Sequence, residues 1–434
     1  MIWNPAMEKA DRSEIAPLQL DRLRRSVAHT YENVAYYHAK MDAAGVKPED
    51  IRTLDDVRRL PLTTKQDMRD CYPYGMLAVP LQKIVRLHSS SGTTGKPTVV
   101  AYTKDDLGVW AELIARTLTA GGVTDKSVFQ VSVNYGLFTG GLGWHYGVEN
   151  VGASVVPVSG GNTARQIMLM QDFGTTAMVA TPSYALYLAE SMRELGILPG
   201  DTKLQSLFCG AEAWSDRMHQ QVEDAFGVPV FDSYGLSEII GPGVSFECEA
   251  HSGLHVQEDH FYCEIIAPLT EEVLPVGESG ELVITTLCKT GMPMIRYRTR
   301  DLTALEPYAG PCGCGRTQAK MKRVTGRTDD MLVIRGVNVF PSQVESVLLG
   351  LGETAPHYQL IVEREHNLDT LTILVEMSED MAKAARDVIT VERKIKEKMK
   401  AATGVGASVR LVEPKTIERS EGKAKRVIDR RTAV

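Results

Sequence analysis

At 434 residues, with 43% hydrophobic and 24% charged side chains, the chain has the size and balance of a globular protein of two or three domains. Its net charge of -7 offers no excess of cations to displace counterions from a polyanion, which excludes nucleic acid as an expected partner. The N-terminal MIWNPAMEKADRSE lacks the apolar core of a signal peptide, no apolar run approaches a membrane span, and seven cysteines fit a reduced cytoplasm better than a disulfide framework.

Residues 1 to about 85 read as mostly helical, since LDRLRRSVAHTYENVAYYHAKMDAAG keeps apolar residues at helical spacing and ends on Gly45. Next, SSSGTTGKPT (89–98) carries hydroxyls, glycines and a lysine suited to phosphate, yet it is no Walker loop. Ser90 stands where the first glycine belongs, and Pro97 follows Lys96 where a magnesium-binding hydroxyl is needed. From about 125 to 232, the runs SVFQVSV, ASVVPV, TTAMVATPS, LQSLFCG and VPVFDS alternate with longer helix-like segments. Several end on small or polar residues, as strand-to-helix turns do, so a largely parallel sheet covered by helices is expected. Between 256 and 305, HFYCEIIAP and GELVITTL, joined by Pro- and Gly-bearing turns, predict an antiparallel subdomain.

A second unit is expected from Gly326 onward. DMLVIRGVNVFP reads as a hairpin turning at Arg335-Gly336, and Pro341 opens a helix, SQVESVLLGL. Two strands, YQLIVERE and LDTLTILVEM, then flank Asn367. A charged amphipathic helix over about 380–402, a strand SVRLVE and a basic tail ERSEGKAKRVIDRR complete a small α+β domain. The predicted organisation is an α/β chain with a large domain over 1–325 and a small one over 326–434.

Four further stretches join the Ser/Gly loop: GAEAWSD (210–216), DSYGLSE (232–238), YRTRD (297–301) with GRTDDMLVIRGVNVFPSQVE (326–345), and SEGKAKR (420–426). Singly such stretches are common turns. Their joint order and spacing resemble the adenylate-forming, AMP-binding superfamily of acyl-CoA ligases, acyl-adenylating synthetase domains and luciferases. YGLFTGGLGWHYG, HVQEDHFYCEI, MIRYRTRDLT, DDMLVIRGVNVFPSQVE and RSEGKAKRV are similar to its phenylacetate–CoA ligase branch, and the resemblance runs from about residue 3 to 431.

The resemblance implies an ATP- and magnesium-dependent aryl-acid–CoA ligase. A carboxylate attacks the α-phosphate of ATP, pyrophosphate leaves, and the coenzyme A thiol then displaces AMP. The substrates supply both nucleophiles, so the protein has only to position reactants and neutralise charge. Ser90, Ser91, Gly92, Thr93, Thr94, Gly95 and Lys96 would clamp the β- and γ-phosphates. Tyr234 would face adenine, Ser237 the α-phosphate and Glu238 the magnesium, with Asp232, Ser233 and Gly235 completing that stretch. Gly210, Ala211 and Glu212 would line the adenine pocket, Asp301 would clamp the ribose, and Arg327 would touch the nucleotide. Asp329 falls at the hinge of a mobile C-terminal domain, and Lys423, selected over Lys425 by the Gly-Lys-x-x-Arg spacing, matches the lysine that bridges carboxylate and α-phosphate. Tyr135, Gly136 and Phe138 match the aryl-acid segment. Two positions depart from the superfamily: Ser237 where threonine is common, and Arg300 where glycine precedes the aspartate.

Cys312 and Cys314 with Cys248 and either His251 or His255 suit a structural Cys3His zinc site, with His255 preferred because the branch shares its GLH triplet. Small-molecule acid, ATP and CoA are the expected partners, and a homodimer is among the assemblies allowed. Two rival readings are an adenylating enzyme that passes its acyl group to a carrier protein or other acceptor, and a non-catalytic nucleotide-binding regulator.

Overall fold

The apolar runs between 125 and 232 become parallel strands in a computed structural model that describes residues 1–89, 97–335, 337–352, 354–365, 368–383 and 388–431. In space the order is Ser154–Val156, Val128–Val131, Ala177–Ala180, Ser206–Gly210 and Val230–Leu236. Strands buried on both faces are apolar throughout rather than alternating, and every residue of Ala177–Ala180 is buried. The sheet then continues beyond the expected edge through three antiparallel strands, Gly241–Glu247, Leu254–Val256 and Lys320–Met321. The sequence GPGVSFE opens this extension, and its glycines and proline read as a loop.

The expected antiparallel subdomain is present as Phe261–Ile266, Gly280–Thr286 and Tyr297–Thr303. The N-terminal segment is helical, but Val34 adopts an extended conformation and divides it into Arg12–Asn33 and Ala35–Ala43. A hairpin of Ile84–Ser89 and Val99–Thr103, which the sequence reading did not anticipate, flanks the Ser/Gly loop. Ser90 to Lys96 themselves lie outside the described residues.

The chain divides into two units. One holds Met1–Ala180, Gly200–Ala211 and Val228–Arg323; the other holds Thr181–Pro199, Glu212–Gly227 and Val324–Val434. Two mid-chain helices, Pro182–Glu194 and Asp216–Phe226, therefore belong with the C-terminal segment. That unit contains the hairpin Leu332–Ile334/Val337–Val339, the helix Pro341–Leu351, and a sheet ordered Ser408–Val412, Leu368–Met377, Thr354–Glu365, Val427–Asp429. Its long central pair is antiparallel and both outer strands are parallel to their neighbours. The expected basic tail is corrected here: Val427–Asp429 is an edge strand, because Val427 packs on the same core as Leu360, Ile373 and Ile395. Helix covers Glu379–Lys383 and Val388–Thr403; Gly336, Asn367 and residues 384–387 fall outside the described residues. No helix among the described residues is long and apolar enough to cross a membrane.

Buried charge ties distant parts of the first unit together. Arg116, 1% exposed, donates 2.8 and 3.0 Å hydrogen bonds to both carboxylate oxygens of Asp259. His260 Nε2 lies 3.2 Å from the same carboxylate. Burial opposes charge on His260, but Asp259 and then Cys288 outweigh it and raise the imidazole to about 9. A folded-state value above the unfolded one, about 6.5, stabilises the fold fully below that pH, and the gain is lost as pH rises through the folded value. Thermal melts should therefore show Tm falling between about pH 6.5 and 9. His260→Gln should flatten that part of the profile, and an unchanged slope would show that His260 is not the titrating group.

Candidate active site

The C-terminal end of Val230–Leu236 is crowded on both edges. A Cβ on Gly210 would stand 2.2 Å from the Ser233 carbonyl oxygen, and one on Gly235 would stand 2.0 Å from that of Gly241. Only glycine lets these backbones meet. Ala211 then turns the chain with φ +69. Between the two glycines, Tyr234 donates a 2.6 Å hydrogen bond to Asp301 Oδ2. Asp301 lies on Tyr297–Thr303, after Arg300 at φ +68. Burial, then the Asp301 charge, pushes the Tyr234 phenol well above its ordinary value, so it stays a donor.

Neighbouring residues of this stretch are held differently. Asp232 accepts from Arg323 Nε at 3.0 Å and its N–H donates to Glu247 at 3.0 Å, which ties it into the sheet. Ser233 Oγ is buried with no hydrogen-bond partner among the described residues. Ser237 Oγ lies 2.9 Å from Thr139 Oγ1. Two residues before Thr139, the Leu137 carbonyl accepts from Ser89 N–H at 2.9 Å and lies 3.0 Å from His88 Nδ1. The segment 134–139 thus joins the start of the Ser/Gly loop to DSYGLSE. Within it Gly136 has φ +96, Phe138 is 43% exposed at the start of the helix Thr139–Val151, and Tyr135 Oη lies 3.2 Å from His145 Nδ1.

Glu238 is buried, with Lys65 Nζ at 3.3 Å and Thr98 Oγ1 at 3.5 Å from its Oε1. Lys289 donates to the Ile239 carbonyl at 2.7 Å and sits 4.8 Å over the Tyr102 ring. Burial lowers the Lys289 ammonium to about 8 despite the nearby Asp106 and Glu238 charges. Sequence reasoning missed Lys65 and Lys289, which stand in stretches with no local signal, and Thr98, which closes SSSGTTGKPT but was given no role.

In the second unit, Lys423 is exposed, and its carbonyl accepts from Ser420 Oγ at 2.7 Å. Glu212 accepts main-chain hydrogen bonds from Ala424 at 2.5 Å and Ser183 at 3.1 Å. Arg327 grips Asp329 with two hydrogen bonds, 2.8 and 3.0 Å long.

Cys248, His255, Cys312 and Cys314 converge so that their ligand atoms all lie within 4.8 Å of one another. The Cys248 and Cys312 sulfurs are 3.8 Å apart, and His255 Nε2 is 3.3 Å from Cys248 and 3.5 Å from Cys314. A tetrahedral site with metal–sulfur bonds of about 2.3 Å has sulfur–sulfur edges of about 3.8 Å and sulfur–nitrogen edges of about 3.6 Å. The donor set therefore fits zinc in both ligand type and spacing. His251 stacks instead on Phe231, at 5.3 Å. The His255 ring centroid lies 5.8 Å from that of Phe246, and its Nδ1 has no hydrogen-bond partner among the described residues.

Residues 34–289 match the AMP-binding enzyme family and 336–431 the AMP-binding enzyme C-terminal domain. The chain is 48% identical to the phenylacetate–coenzyme A ligase of Thermus thermophilus over 99% of its own length and 100% of that protein. It is 47% identical to the enzyme of that name from Escherichia coli K12, over 99% and 98%. The chain belongs to the phenylacetate–CoA ligase family of AMP-binding enzymes. Among solved structures, 2-hydroxyisobutyryl-CoA ligase in the postadenylation state with R3-HIB-AMP matches with TM-score 0.90 and 29% identity over 98% of this chain and 91% of that one. The same ligase with 2-HIB-AMP and CoA in the thioesterification state matches with TM-score 0.73 and 30% identity over 99% and 92%.

In this ligase the close approach at Gly210 is a packing requirement that a stability measurement can read. Gly210→Ala forces a methyl against a carbonyl oxygen and should cost about 1–3 kcal/mol. Ala211→Gly relieves a left-handed φ and should leave Tm unchanged or higher. Equal melting of Gly210→Ala and the parent would show that the two strands can part there.

Proposed function

We propose that this AMP-forming acid–CoA ligase acts on phenylacetate or a close aryl acid, joining it to coenzyme A in two steps. In the first, a carboxylate oxygen bonds to the α-phosphorus of ATP and the bond to the β-phosphate oxygen breaks, releasing pyrophosphate. In the second, the CoA sulfur bonds to the acyl carbon, AMP leaves and the thiol proton goes to solvent. The observation that carries this reading is the Tyr234–Asp301 hydrogen bond, which joins the adenine and ribose motifs in a chain similar throughout to phenylacetate–coenzyme A ligases.

The roles follow from charge and position. Asp301 would accept from the ribose hydroxyls while Tyr234 presents its ring to adenine beside the main chain of Gly210 and Ala211. Ser237 would meet the α-phosphate, the loop from Ser90 to Lys96 the outer phosphates, and Arg327 the nucleotide. Glu238 fits magnesium as a buried carboxylate ligand; when bound, the cation neutralises the phosphates. Lys423 would neutralise the carboxylate and α-phosphate as they approach. Tyr135, Gly136 and Phe138 would border the aryl group, and Asp329 in the small domain from 326 would act as hinge. Cys248, His255, Cys312 and Cys314 would hold zinc as a closed structural site, with no open position for chemistry. An enzyme that hands its acyl group to another acceptor is the closest rival, and release of pyrophosphate without any CoA thioester would favour it. A non-catalytic regulator would be expected to lack at least one of Glu238, Asp301 and Lys423, and all three are present.

Two outcomes are expected. Lys423→Ala should slow adenylation by about 10²–10³, the usual loss for one preorganised electrostatic contact, yet spare thioester formation from presynthesised phenylacetyl-adenylate. Equal losses in both half-reactions would remove Lys423 from its role. Elemental analysis of protein purified without added metal should find about one zinc per chain, absent from Cys312→Ser/Cys314→Ser, whose Tm falls before its specific activity does. Unchanged zinc in that variant would place the metal elsewhere.

A further inference from the structure

We propose that Glu212 is a positioning residue for adenylation: its carboxylate seats the loop that carries Lys423. The inference rests on the reading of Lys423 given above and concerns the second unit alone. Both Glu212 oxygens are committed to main-chain donors, Oε1 to Ala424 N–H at 2.5 Å and Oε2 to Ser183 N–H at 3.1 Å. Ser183 lies in the first turn of the helix Pro182–Glu194, where main-chain N–H groups have no partner within the helix. Glu212 therefore ties one of those donors and the lysine loop to a single side chain. The residue before that helix, Thr181, donates from Oγ1 to the Gly422 carbonyl at 3.0 Å. Lys423 is thus held by main-chain contacts on its preceding and following residues, and its own carbonyl accepts from Ser420 Oγ at 2.7 Å.

Only the Lys423 side chain is left to solvent, and that division suits its proposed task. A lysine has four rotatable side-chain bonds, and the placement of its ammonium depends on the fixity of its Cα. Arg426 secures the other end of the Gly-Lys-x-x-Arg stretch: its guanidinium lies 4.4 Å over the Tyr358 ring and 3.4 Å from Glu345 Oε2. Arg426 thus anchors the stretch, while the Lys423 side chain is exposed. A carboxylate is the right receiver because hydrogen bonds to a charged acceptor are roughly twice as strong as neutral ones. Glutamine has only one oxygen, so it cannot accept from both Ser183 and Ala424 in this geometry. The acidic residue of GAEAWSD therefore has a task apart from the adenine, for which the main chain of 210–212 remains available.

The test is a double-mutant cycle on the full-length enzyme with Glu212→Gln, Lys423→Ala and the pair. ATP–pyrophosphate exchange with phenylacetate reads the first half-reaction, and thioester formation from synthetic phenylacetyl-adenylate reads the second. Glu212→Gln should lower kcat for exchange by about 10- to 100-fold, the scale of a small misplacement, with KM for ATP unchanged and the second half-reaction intact. In the Lys423→Ala background it should cost nothing further, because residues acting as one unit are not additive. Thr181→Val, which removes the hydroxyl bond to Gly422 together with the cap that Thr181 Oγ1 gives Tyr184 N–H, should reproduce the pattern with a smaller loss. Additive losses, a raised KM for ATP with kcat preserved, or equal losses in both half-reactions would overturn the proposal. Full exchange activity in Lys423→Ala alone would instead overturn the role of Lys423, and the seat with it.

Discussion

The proposed nucleotide site depends on two places where backbones meet with no room for a Cβ. Gly210 packs under the Ser233 carbonyl and Gly235 under that of Gly241, so Val230–Leu236 is gripped by a parallel neighbour on one edge and an antiparallel one on the other. The register fixed there decides which side chains leave the strand end and where they point. Tyr234 meets Asp301, Ser237 meets Thr139, and Glu238 ends buried beside Lys65. Ligands bind beyond the carboxyl ends of strands in open α/β sheets. Here the switch from parallel to antiparallel pairing occurs at that end.

No nucleophile–base pair is needed in such a site, and the arrangement is one of charges and donors held in place. The same economy extends through the first unit, where Arg116 with Asp259, Arg296 with Glu264, Arg298 with Glu281 and Arg316 with Glu8 are buried pairs, the first and last joining segments 143 and 308 residues apart. Each would be costly to break singly, since the partner would be left as an uncompensated buried charge. Arg316 also joins the N-terminal segment to the turn that carries Cys312 and Cys314: it bonds Glu8, and its carbonyl accepts from Cys312 N–H at 2.8 Å.

What was legible in the sequence follows from how local each signal is. The runs that became parallel strands are continuous apolar stretches, and a strand buried on both faces writes that pattern directly. Gly241–Glu247 was missed because its opening Gly-Pro-Gly reads as a turn, although partners on both sides hold it as a strand. The tail after Ser420 read as a basic segment rather than a strand because charge outnumbers Val427 and Ile428, which are what enter the sheet. The cysteine and histidine ligand types were visible, and the GLH triplet favoured His255; the fold turns His255 into the cluster and His251 onto Phe231. Lys65 and Lys289 carry no motif, Thr98 only closes one, and their meeting around Glu238 is a property of tertiary structure. Glu212 was visible as part of a nucleotide-type stretch, yet its partners, Ser183 and Ala424, lie 29 and 212 residues away.

The central claim is that the acid's own carboxylate attacks the α-phosphorus, with the protein supplying position and charge. Phenylacetate labelled with 18O in both carboxylate oxygens, turned over with ATP and CoA, tests it at the atom that moves. Mass spectrometry should find one labelled oxygen in the AMP released and none in the pyrophosphate. Label in inorganic phosphate alongside ADP, or AMP carrying no label, would contradict the account.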